Sequence, residues 1–161
     1  MTELEKLAVE VGETLQRRGW TVATAESCTG GWIAKCLTDI AGSSAWFERG
    51  FVTYSNAAKQ ELLGIDVAVL DTEGAVSEAT VAAMVRGALE HSRADIAVAV
   101  SGIAGPGGAR PGKPVGTVCF AWATRTGQPH VVTCQFEGDR DAVRRQSVVH
   151  ALQGLLDAAG A

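Results

Sequence analysis

Apolar residues recur at Leu4, Leu7, Ala8, Val11 and Leu15, three and four apart, which is the spacing of one helix face. The pattern predicts an amphipathic helix over 3–18. Gly19 closes it, because glycine enters the left-handed conformation past a helix end at least steric cost. The period then shortens. Residues 20–25 (WTVATA) are few and β-branched, a strand, and they run through the polar turn 26–31 (ESCTGG) into a helix over WIAKCLTDIAG that ends at Gly42. Ser43 and Ser44 cap a short helical turn at AWFER. Residues 50–54 (GFVTY) form a strand, and Asn56 caps the next helix, AAKQELLG.

Val81, Met84, Val85 and Ala88 repeat the helical spacing, predicting a helix over 77–92. The near-continuous apolar run IAVAV at 96–100 follows, as expected of a strand covered on both faces. Residues 101–116 (SGIAGPGGARPGKPVG) hold six glycines and three prolines, too many for the interior of a helix or strand. They read as a long loop, and long loops inside compact domains are usually functional. Residues 117–124 and 130–136 read as a hairpin around TRTGQP, and the helix DRDAVRRQSVVHALQGLLDAAG closes the chain. Strands alternating with helices give the fold class: a single α/β domain over 1–161, an α/β/α sandwich with a mixed, largely parallel sheet. No internal repeat or linker interrupts it.

Composition narrows the function classes. With 47% hydrophobic and 20% charged residues the chain is an ordinary globular domain, neither disordered nor a disulfide scaffold. A net charge of -4 argues against nucleic acid as a partner, since that binding needs clustered Lys and Arg, and leaves room for a small, locally held anion. There is no signal-peptide pattern and no apolar run of about 18 residues, so neither a membrane partner nor export is expected, and the reading is cytoplasmic. Cys28, Cys36, Cys119 and Cys134 form no C-x-x-C, and His91, His130 and His150 stand singly. No metal site and no cofactor are expected, and the cysteines read as free thiols. Trp20, Trp32, Trp46 and Trp122 suit a core, although pocket walls or a subunit interface would also use them. A homodimer is the expected assembly.

Three polar segments follow predicted strands: 26–31, 53–59 (TYSNAAK) and 101–108 (SGIAGPGG). In open α/β sheets ligands bind beyond the carboxyl ends of strands, so the three are expected to converge. ESCTGG opens a helix with free N–H groups and the hydroxyls of Ser27 and Thr29, which suits an anion; a plain helix cap explains the same residues. Lys59 falls in the first turn of a helix, against the helix dipole. Buried, it would lose its proton more readily and serve as general base toward a serine, with the phenol of Tyr54 assisting; exposed, it would simply pair with Glu61 or Asp66. The serines available to it are Ser27, Ser43, Ser44, Ser55 and Ser101. Gly107, Gly112 and Lys113 match a phosphate-binding P-loop until Pro114 stands where Ser or Thr is needed, and a strand follows instead of a helix. ATP hydrolysis is not supported, and the loop reads as a lid or pocket wall that brings Ser101 and Gly102 to a ligand. Ser55 to Lys59 is one residue longer than S-x-x-K, while Tyr54-Ser55-Asn56 resembles the Y-x-N element of penicillin-recognising enzymes. Of Arg140, Arg144 and Arg145, surface solvation explains all three. Arg140, at a helix start, is the one suited to hold a phosphate or carboxylate.

The runs TAESCTGGWIAKCLTDIAGSSAWFERGFVTYSNAAK, GAVSE, SGIAGP, KPVGTV and GDRDAVRRQ together resemble the CinA C-terminal-domain family over nearly the whole chain, in its stand-alone form. The resemblance implies a metal-independent serine amidase that converts nicotinamide mononucleotide and water to nicotinic acid mononucleotide and ammonia in pyridine-nucleotide salvage. It makes Lys59 the general base, Tyr54 its partner, and a serine of GSSAW or ESCTGG the nucleophile. Ser44 is preferred for that role, because ESCTGG has a ready task as phosphate and ribose holder, and Ser27 is the rival. Thr29, Gly30 and Gly31 are then expected at the phosphate end, with Ser101, Gly102 and Arg140 holding substrate. A non-catalytic nucleotide-binding module and an amidase for another small amide are the alternatives.

Overall fold

Large and small side chains alternate through Val22, Ala23, Thr24 and Ala25, through Ile96 to Val100, and through Val118 to Ala123. Successive strand residues point to opposite faces, so the alternation gives one sheet a bulky face and an alanine face. The computed structural model describes residues 1–160. Its elements are α1 (Glu3–Arg18), β1 (Val22–Glu26), α2 (Trp32–Thr38), β2 (Phe47–Val52), α3 (Asn56–Leu63), α4 (Val67–Glu73), α5 (Glu78–Glu90), β3 (Ile96–Gly102), β4 (Thr117–Thr124), β5 (His130–Gln135) and α6 (Arg140–Ala158). The sheet order is β2-β1-β3-β4-β5, with β1 parallel to both neighbours and β4 antiparallel to β3 and β5. Register keeps the two sets apart: Val98 lies opposite Trp122, and Ala97 and Ala99 lie opposite Ala123 and Ala121.

The bulky face carries Val22, Ile96, Val98, Phe120 and Trp122 against α1, α2 and α6. The alanine face takes α5, whose Val81, Met84, Val85 and Ala88 are fully buried, and α3 packs beyond. Each such large aliphatic side chain removed from water stabilises the fold by about 1.5–3 kcal/mol. Side chains fix most helix starts: Thr2 and Glu5 form a reciprocal capping box on α1, and Ser55, Asp66, Ser77 and Asp139 cap α3, α4, α5 and α6. Among the described residues no helix is long and apolar enough to cross a membrane.

Several local expectations give way. The helical turn expected at AWFER is a 3-10 turn over Ser43–Ala45, because Phe47 and Arg49 are drawn into the ladder with β1. α2 stops at Thr38, short of Gly42, and Ser55 caps α3 where Asn56 was expected. Ser101 and Gly102 end β3, where β4 pairs with them. α4 is absent from the periodicity reading, since its β-branched run VAVLDTE has strand-like composition and is held helical by the Asp66 cap.

Candidate active site

β1 lies between two parallel neighbours. The chain leaves it for α2 on one face of the sheet, and it leaves β2 for α3 on the other, a switch point of the kind that opens a crevice at the strand ends. The three polar segments meet there. Ser27 N donates to Val100 O, and Thr53 N donates to Glu26 O, which sets Ser27, Thr53 and Ser101 side by side past the ends of β1, β2 and β3. The cleft above them has a volume of about 540 Å³, within the usual range for small-molecule sites.

Lys59 occupies the floor with 1% of its surface exposed. Its Nζ lies 2.8 Å from Thr53 O, 3.4 Å from Tyr54 O and 3.0 Å from Ser27 Oγ. Burial holds its pKa below the ordinary lysine value. A neutral amine here spends its two N–H bonds on the two carbonyls and keeps its lone pair for the Ser27 hydroxyl. The neighbouring Cys28 is a poor nucleophile, its thiol pushed up to about 12 by burial.

Glu26 explains the turn that follows. Its carboxylate accepts from Thr29 Oγ1 at 2.6 Å, Ile33 N at 2.8 Å and Ala34 N at 2.9 Å, and so caps α2 from the end of β1. Burial raises its pKa, and these hydrogen bonds partly oppose that rise. Behind the turn, Arg144 donates from Nε to Cys28 O at 3.0 Å and from Nη2 to Thr29 O at 3.2 Å. Sequence reasoning found neither role. A carboxylate at a strand end leaves no periodic signal, and Arg144 differs in pattern from a surface arginine only in lying four residues from Arg140.

Ser27, Lys59, Tyr54, Ser101, Gly102 and Arg140 all line the cleft, as expected. Ser44 does not. It is exposed in the 3-10 turn before β2, whereas Lys59 follows the far end of that strand, and a six-residue strand separates them by about 20 Å. Thr29, Gly30 and Gly31 are likewise not at an anion site. The Thr29 hydroxyl is committed to Glu26, the first α2 amides are consumed by the same carboxylate, and the glycines serve the turn with φ of 61° and 101°. Tyr54 contributes its carbonyl to Lys59, not its phenol. Tyr54 is 61% exposed, and its phenol accepts from Arg140 Nη2 at 3.1 Å, while Arg140 Nη1 donates to Gly105 O at 2.8 Å. Arg110 and Lys113 also reach the cleft, and no aspartate or glutamate lines it.

Comparison with known proteins finds relatives over nearly the whole chain. The CinA C-terminal domain family matches residues 4–159. The chain is 59% identical over 154 residues to the nicotinamide-nucleotide amidohydrolase PncC of Escherichia coli strain K12, covering 96% of this chain and 93% of that one. It is 54% identical over 156 residues to the protein of the same name from Pseudomonas putida, covering 97% of each. Among solved structures it resembles the competence/damage inducible protein CihA from Agrobacterium tumefaciens, with a TM-score of 0.95 and 46% identity over 98% of this chain and 96% of that one.

Proposed function

The chain belongs to the CinA C-terminal domain family, and on that premise we propose that it is an amidohydrolase that converts nicotinamide mononucleotide and water to nicotinic acid mononucleotide and ammonia. The observation that carries this reading is the 3.0 Å contact between Ser27 Oγ and the buried Lys59 Nζ at the floor of the cleft. Ser27 is the nucleophile. Its oxygen attacks the carboxamide carbon while Lys59 takes the hydroxyl proton. Negative charge builds on the amide oxygen, and the backbone N–H of Cys28, next to Ser27 and without a backbone acceptor of its own, is free to receive it. The Lys59 ammonium then passes its proton to the departing nitrogen, the C–N bond breaks, and ammonia leaves an acyl ester on Ser27. Water attacks the ester with Lys59 again as base, releasing the carboxylate and restoring the serine.

Burial serves this cycle twice. It lowers the cost of a neutral Lys59 at the start, and it makes the ammonium formed after attack a willing proton donor. Arg140 and the Tyr54 phenol, joined to each other, border the opening through which substrate arrives. The test is ammonia release from nicotinamide mononucleotide by purified protein in EDTA, with Ser27→Ala, Lys59→Ala and Ser44→Ala alongside. The reading requires turnover that is lost in the first two variants and kept in the third. Absence of turnover in the unmodified protein, with the nucleotide still bound, would leave a binding module.

A further inference from the structure

The segment that departs from a P-loop at Pro114 folds into a tight two-sided turn. Arg110 and Lys113 face each other across a tight turn: Arg110 N donates to Lys113 O at 2.9 Å, Lys113 N donates to Arg110 O at 2.8 Å, and Gly112 between them has φ of 74°. Residues directly opposite in an antiparallel pair carry their side chains on the same side, and like charges so placed repel. Both residues line the cleft. Nothing acidic relieves them. The ion pairs among the described residues are Lys35–Asp39, Arg49–Glu48 and Arg145–Glu3, and the Lys113 ammonium has only the Glu73 carbonyl, at 3.1 Å. Arg140 adds a third unpaired cation, tied to the base of the same loop through Gly105 O. A chain of net charge -4 thus gathers three unneutralised cations around one opening, while the α2 start, the other anion site its sequence suggested, has its amides occupied.

We propose that Arg110 and Lys113, with Arg140 beside them, form the phosphate-recognising end of the cleft and select a nucleotide over its nucleoside. The identity of the amide end rests on the amidase reading; the phosphate end does not. Guanidinium and ammonium donors on a phosphate monoester make charge-assisted hydrogen bonds. A phosphate remote from the reacting carbon stays bound equally in the ground and transition states, so its loss is read in KM and not in kcat.

The experiment compares two pairs of compounds on wild type, Arg110→Gln/Lys113→Gln and Lys113→Arg. Nicotinic acid mononucleotide and nicotinic acid riboside are titrated by calorimetry, and kcat/KM is measured for nicotinamide mononucleotide and nicotinamide riboside. Wild type is expected to favour the nucleotide of each pair by about 100-fold or more. The double variant is expected to lose most of that ratio through KM, and Lys113→Arg to keep most of it. An unchanged ratio in the double variant, or a wild type that binds nucleotide and nucleoside alike, overturns the proposal. Tight, nucleotide-selective binding without ammonia release would sink the amidase reading and leave the phosphate site standing. Ammonia release at equal kcat/KM from nucleotide and nucleoside would do the reverse.

Discussion

Lys59 and Lys113 lie on the same cleft, and their surroundings set them to different work. Lys59 is sealed under the cleft against Ser27 and two main-chain carbonyls, so its charge is disfavoured and its lone pair is useful. Lys113, at the mouth with Arg110 and Arg140, keeps contact with solvent and meets other cations. On the proposed reading the floor handles protons through desolvation, and the mouth handles recognition through retained charge.

The largest expected break is on the floor. Ser27→Ala should lower turnover about 10³-fold or more while product binding persists. Lys59→Met should cost about 10²–10⁴-fold in turnover without loss of stability at neutral pH, since it removes a buried amine. The sign follows from linkage. With a folded pKa below 10.5, the unfolded chain binds more protons between the two values, so wild-type stability rises with pH across that window. Denaturation midpoints measured across it should lose that slope in Lys59→Met; parallel curves for the two proteins would contradict a desolvated Lys59. A smaller effect belongs to the turn beneath Ser27. Glu26→Gln turns an amide donor toward an N–H that the carboxylate satisfies, and should cost about 1–3 kcal/mol in urea unfolding. Smallest is the response of the mouth to salt. Raising ionic strength from roughly 0.05 to 0.5 M shortens the screening length several-fold, so KM for the nucleotide should rise severalfold with kcat steady. A fall in kcat of the same size would place the salt effect on the floor.

The floor was more legible in the sequence than its supports. Lys59 against a helix dipole, in a polar segment following a strand, is an anomaly that a single chain displays, whereas Ser27 sits in a turn that a plain helix cap also explains. Ser44 lies away from the cleft for a geometric reason: it precedes β2 while Lys59 follows it, the two ends of a strand lie at opposite ends of the sheet, and no local spacing reports which end a residue occupies. Thr29 and the α2 amides were misassigned because a helix start advertises free donors, and Glu26, which takes them, announces itself only in three dimensions. β3, β4 and α5 were readable because burial imposes period; α4 was not, because a single aspartate cap overrides the strand preference of its residues.

One layer of the fold bears on the floor without touching it. Gly87 of α5 lies so close to α3 that an added Cβ would come within 2.2 Å of Leu63 O, and α5 itself rests on the alanine face. Ser27 hangs from the sheet and Lys59 from α3, so where α3 seats on α5 helps set how the two side chains meet. Bulk added at Ala97, Ala99 or Gly87 would therefore shift Lys59 against Ser27, and a displacement of about 1 Å between reacting groups can cost 10²-fold in rate. A search for folded but silent variants should return those three positions beside the residues of the cleft.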